Sequence, residues 1–196
     1  MNDGKISVRY ARALYNLACE NKCEQVVYEA LRRFSNGISK AIGAFDSVLK
    51  NPIISDEEKT KLIETAIGDP IPDCLKSFVN FVVEQGRESK MYLIALKYQE
   101  KYRADKNILL THITTASELS PETLEKIKAN VADLFKANVE AVVSINPKLI
   151  GGYTLDIENN LLDASIAGQL NKVKEELRQQ HILYQQSQLL IFLITE

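Results

Sequence analysis

The sequence predicts a mainly α protein in two parts, an N-terminal six-helix bundle followed by a small α/β C-terminal domain. Three observations carry this reading. Apolar residues recur at helical spacing from Ile6 to about Lys106, capping and turn residues divide that stretch into six segments, and after Asn107 the period becomes strand-like. The expected domains are 1–105 for the bundle and 106–180 for the α/β part, with 181–196 left as an apolar tail.

In the first helix Ile6, Tyr10, Ala13, Leu14 and Leu17 share one face, while Arg9, Arg12 and Glu20 lie elsewhere. The second helix spans about Glu24 to Asn36, where Gly37 can end it. A third, Ile38 to Leu49, stops before Asn51-Pro52, because a residue preceding proline is driven out of the α region. Ser55-Asp56-Glu57-Glu58 opens the fourth as a capping box, and Gly68-Asp69-Pro70 closes it. The fifth begins with Asp73 after Pro72 and carries Leu75, Phe78, Val79, Val82 and Val83 before Gly86, a stripe wide enough to meet two surfaces. The sixth, from about Ser89 through Lys101 and beyond, holds Leu93, Ala95, Leu96, Tyr98 and Tyr102. Loops this short force the helices to bury their faces against one another.

Beyond Asn107, Ile108, Leu110, His112 and Thr114 alternate with Leu109, Thr111 and Ile113, and the β-branched content disfavours helix. Ser120-Pro121-Glu122-Thr123 caps a helix reaching about Lys136, with proline in the first turn where its missing amide does no harm. Two strands follow, Val139 to Ile145 and a second around Tyr153, Leu155 and Ile157, after which Asn159-Asn160 offers a turn. A last helix, about Ser165 to Gln179, carries Ile166, Leu170, Val173 and Leu177. In the tail, the apolar run Leu189 to Ile194 is far short of the roughly 20 residues that span a bilayer and is expected to pack or to dock on a partner.

Composition narrows the function. Net charge is -2 with charges mixed along the chain, so the cationic stripe of a nucleic-acid binder is missing. Three cysteines, Cys19, Cys23 and Cys74, without a secretory signal ahead of them, point to free thiols in a reducing compartment. Cys19 and Cys23 lie four apart and are read as small packing residues on one helix face. Neither His112 nor His181 has Cys, Asp or Glu at metal-ligand spacing, and Gly-x-Ser-x-Gly and Gly-x-Gly-x-x-Gly are absent. Gly151-Gly152 lacks the Lys-Ser/Thr of a phosphate loop and precedes a strand, which favours a bulge or close backbone packing. Asp163 and Ser165 read as the N-cap region of the last helix. No catalytic group, metal or cofactor is expected.

Several local patterns occur in one family's order: Tyr10-Ala11-Arg12-Ala13-Leu14, then Asn51-Pro52-Ile53-Ile54 with Lys59, then Phe81 through Glu84-Gln85-Gly86-Arg87. Leu149-Ile150-Gly151-Gly152-Tyr153 and Asp163-Ala164-Ser165-Ile166 complete the set, with Leu170 following. Together they resemble the delta subunit of rotary ATP synthases, whose mitochondrial relative is the oligomycin-sensitivity-conferring protein. The resemblance implies a stator on the cytoplasmic face of the bacterial plasma membrane, attached only through its complex. It implies a bundle that takes an N-terminal helix of an alpha subunit and a C-terminal domain that holds b-type stalk subunits. For the alpha helix the resemblance points to Tyr10, Ala13, Leu14 and Leu17 opposite Phe78, Val79, Val82 and Val83, each of which serves equally well as bundle core. A helical adaptor unrelated to the synthase would show the same apolar stripes.

Overall fold

The computed structural model describes residues 3–157 and 160–178, in two compact units that divide between Lys106 and Asn107. The apolar tail 181–196, with His181, lies outside the described residues.

The first unit contains α1 (Asp3–Glu20), α2 (Glu24–Ile38), α3 (Ile42–Leu49), α4 (Asp56–Ile67), α5 (Asp73–Glu84) and α6 (Met91–Lys106). Its core is built on α6, whose Met91, Ile94, Ala95 and Tyr98 are fully buried, with α1 and α2 packed against it. Leu14, Leu31, Phe34, Leu75 and Val79 fill the space around them. Two buried polar groups are satisfied inside this core. Tyr98 Oη donates to the Glu24 carbonyl at 3.0 Å, and Gln99 Nε2 donates to the Leu31 carbonyl at 3.2 Å and to Ser35 Oγ at 3.0 Å. Burial pushes the Tyr98 hydroxyl pKa well up.

The helix ends follow local chemistry. Ser55 Oγ accepts from the Glu58 amide and Glu58 reaches back to the Ser55 amide, the reciprocal capping box expected at α4, and Gly68 ends that helix at φ 72°. The α2 boundary differs from expectation, because the helix passes through Gly37. Ile38 is only 7% exposed and extends the stripe Val27, Leu31, Phe34, so packing holds a further turn that glycine alone would have released. α3 therefore starts at Ile42 rather than Ile38. Similarly, Glu88–Lys90 forms a 3₁₀ turn that delays α6 to Met91.

A buried ion pair joins two elements of this unit. Lys59 Nζ donates to Glu88 Oε1 at 2.8 Å, with the two side chains 10% and 12% exposed, and Glu88 Oε2 has no hydrogen-bond partner. It ties α4 to the 3₁₀ turn ahead of α6.

The second unit contains β1 (Ile108–Thr115), α7 (Pro121–Phe135), β2 (Asn138–Ile145), β3 (Gly152–Ile157), β4 (Asn160–Ser165) and α8, helical over residues 166–178. Strand order is β2-β1-β3-β4. β1 and β2 run parallel, which requires the crossover that α7 provides, while β3 pairs antiparallel with β1 and β4. Ile113, Ile127, Val131, Leu155 and Ile157 form the core between the sheet and α7. Ser120 caps α7 by accepting from the Thr123 amide.

β4 was not expected. Its segment, Asn160-Leu161-Leu162-Asp163-Ala164-Ser165, lacks β-branched residues and ends in helix-capping chemistry, so no strand period is legible. Pairing with β3, Leu155 opposite Leu162 and Thr154 opposite Asp163, makes it an edge strand. Asn159, half of the expected turn, lies outside the described residues.

Candidate functional site

An apolar groove of about 500 Å³ lies between α1 and α5, lined by Arg9, Tyr10, Ala13, Leu17, Ser77, Phe78 and Phe81. Its geometry follows from helical period. At 3.6 residues per turn Tyr10, Ala13 and Leu17 share a flank of α1, and Ser77, Phe78 and Phe81 share a flank of α5. Tyr10 stacks on Phe81, centroids 6.1 Å apart and rings inclined 29°, and meets Phe78 edge-on at 6.4 Å and 70°. Phe78 is buried, but Phe81 is 48% exposed and Ala13 presents only a methyl group, so the groove has aromatic walls and a shallow floor. Arg9 supplies a cation at the rim.

The eight residues assigned to this contact from the sequence divide in two. Tyr10, Ala13, Leu17 and Phe78 line the groove. Leu14, Val79 and Val82 are 0% exposed and Val83 is 3% exposed, which makes them core. The apolar stripe of α5 is wider than one contact needs, and its angular centre turns inward with Leu75, Val79 and Val82. Phe81, Arg9 and Ser77 were missed. Phe81 lies three residues beyond Phe78 and one turn before Gln85, and that i, i+3 aromatic pair was the signal available.

The second unit presents another apolar surface. Leu134, Phe135, Tyr153, Leu161 and Leu162, with Lys172 at its edge, line a concavity of about 590 Å³, and on α8 Leu170 and Leu177 are 56% and 61% exposed.

The glycine pair and the acidic cap form one clasp. Gly152 adopts φ 73°, and a Cβ there would stand 2.3 Å from the Ala164 carbonyl oxygen. The Ile166 amide donates to the Gly151 carbonyl at 3.0 Å. Asp163 Oδ1 accepts from the Ser165 amide at 2.9 Å, and Ser165 Oγ accepts from the Gly168 amide at 2.9 Å, capping α8. Hydrogen bonding from the Ser165 side chain, and then from its amide, holds the Asp163 carboxyl below the usual carboxylate range. A Cβ at Gly168 would meet Asp163 Oδ2 at 2.2 Å, a constraint the sequence alone did not disclose. The clasp aims no group at a substrate. Gly152→Ala is expected to destabilise the second unit by about 2 kcal/mol or more, from positive φ and backbone overlap together, visible as earlier loss of sheet signal in thermal unfolding.

Cys23 does not share a helix face with Cys19. α1 ends at Glu20, Lys22 turns the chain at φ 54°, and Cys23 becomes the residue ahead of α2. Among the described residues, no three His, Cys, Asp or Glu side chains gather as a metal site, and no helix is long and apolar enough to cross a membrane.

Comparison with known proteins gives one consistent family. The family model described as ATP synthase delta (OSCP) subunit matches residues 6–177, across both units. The chain is 37% identical over 174 residues to the ATP synthase subunit delta of Phocaeicola vulgatus, covering 88% of this chain and 94% of that protein. To the subunit delta of Bacteroides fragilis it is 36% identical over 178 residues, covering 90% and 95%. In fold it is similar to a chain of the Toxoplasma gondii mitochondrial ATP synthase hexamer, with TM-score 0.61, 18% identity, and 90% and 97% of the two chains covered. The chain belongs to the ATP synthase delta (OSCP) subunit family.

Proposed function

We propose that the α1–α5 groove holds an amphipathic N-terminal helix of the synthase alpha subunit, and that the apolar face of the second unit holds the b-type stalk subunits. The chain is a stator subunit of the peripheral stalk, a structural component without catalysis of its own. It links the catalytic head to the membrane-anchored stalk, at the cytoplasmic face of the bacterial plasma membrane. Torque from ion-driven rotation would otherwise turn the head with the rotor.

The observation that carries the groove assignment is the exposed aromatic wall, Tyr10 on Phe81, beside the bare Ala13 floor. A helix laid into such a groove needs apolar anchors at i, i+3, i+4 and i+7, and a small floor residue lets the two backbones approach. Desolvated aromatic anchors supply most of the energy of such contacts. Joining two sites in one chain then makes the second attachment intramolecular, so moderate affinity at each end suffices for a persistent link.

The test is co-purification of the full chain with isolated alpha/beta head and, separately, with the soluble part of the b-type stalk. Retention of both, with head binding competed by a peptide of the alpha amino terminus, is the expected result. A chain that retains neither is an adaptor for something else, and the assignment fails.

A further inference from the structure

Cys23 and Cys74 are 51 residues apart in sequence, yet their Sγ atoms stand 2.8 Å from each other, about 0.8 Å beyond a disulfide bond. All three cysteines are free thiols. The approach is imposed by the fold, because Cys23 immediately precedes α2 and Cys74 is the second residue of α5. Both side chains are partly exposed, so a small reagent can reach them, while Cys19 lies exposed on the last turn of α1.

We infer that Cys23 and Cys74 form a dithiol site that a low-molecular-weight disulfide oxidises to an intramolecular disulfide, stapling the start of α5 to the start of α2. The Cys23 thiolate attacks one sulfur of the reagent and expels the first small thiolate, leaving a mixed disulfide on Cys23. Cys74 then gives its proton to solvent, and its thiolate attacks Cys23 Sγ and expels the second. Two cysteine thiols are oxidised, one reagent disulfide is reduced to two thiols, and the protons end on those thiols.

The order of attack has a physical basis. Burial, and then the hydrogen bond with Cys23, push the Cys74 thiol up to about 12, which makes it the poorer first nucleophile. Capping Cys23 removes that second contribution. The backbone amides of Leu75 and Cys74, which favour the Cys74 thiolate, then act beside a sulfur already within reach. The bridge closes a long loop and lies one helical turn before Phe78, so it constrains the α5 wall of the groove.

The experiment treats the full chain with glutathione disulfide, quenches it with N-ethylmaleimide and maps the unreduced peptides by mass spectrometry. A Cys23–Cys74 linked pair, lighter by two hydrogen atoms, is expected, with Cys19 alkylated or carrying glutathione. In a Cys19→Ser chain the same treatment should raise the midpoint of thermal unfolding by roughly 10 °C, reversed by dithiothreitol, and the rise should vanish in Cys74→Ser. Recovery of Cys23 and Cys74 as separately alkylated or glutathionylated residues, or a bridge from Cys23 to Cys19, overturns the inference.

Discussion

Ala13→Glu is expected to weaken capture of the alpha-subunit amino-terminal helix by about 30-fold or more while leaving the fold intact. Ala13 sits one turn from both Tyr10 and Leu17 and is exposed in the free chain, so the new carboxylate is hydrated until the helix arrives. Binding would then strip its water without offering it a partner, and an unpaired polar group forced into apolar contact costs about 2 kcal/mol or more. Arg9, one turn before Ala13, could offset part of that penalty, which is why Phe81→Glu, on the opposite wall, is the companion variant. Titration of the full chain with the alpha peptide, alongside helix content by circular dichroism, reads both effects. Val79→Asp makes the contrast: Val79 is 0% exposed, so its loss of binding should come with loss of structure.

Lys59→Met is expected to lower stability by about 3–5 kcal/mol, because it leaves the Glu88 carboxylate buried with neither oxygen paired. For a unit of this size that corresponds to a fall of roughly 15–25 °C in the midpoint of thermal unfolding. The pair is not thereby a large net stabiliser, since desolvating two charges consumes most of their attraction. Replacing both partners, Lys59→Met with Glu88→Leu, should therefore recover most of the loss. Exposed pairs such as Lys97–Glu100 should change stability by less than about 1 kcal/mol when one member is removed. A single Lys59→Met variant that unfolds at the parental temperature would contradict the dependence of the buried Glu88 carboxylate on Lys59.

How far the sequence was legible depended on whether each signal was local. Ser55 with Glu58 and Ser120 with Thr123 cap their helices within one turn, so their chemistry could be read directly. The shift of period at Asn107 coincides with the division between units. Gly37 misled because Ile38 finds a place in the core, a tertiary gain invisible in the local pattern. β4 escaped because its hydrogen bonds are supplied by β3 and not by its own composition. In the groove, Tyr10, Ala13, Leu17 and Phe78 were named through the family resemblance, and the stripe of α5 could not say which of its residues turn inward. The proximity of Cys23 to Cys74 and the fit of Gly168 against Asp163 are long-range or shape constraints, and no spacing rule reaches them.

A cut between the two units probes the mechanical role most directly. With a protease site inserted between Lys106 and Asn107, the complete synthase can be assembled first and the connection severed afterwards. Ion-driven ATP synthesis should collapse after cleavage, while ATP hydrolysis by the head continues. Synthesis that proceeds at the uncut rate once every copy is severed would contradict the claim that this chain carries the torque between head and stalk.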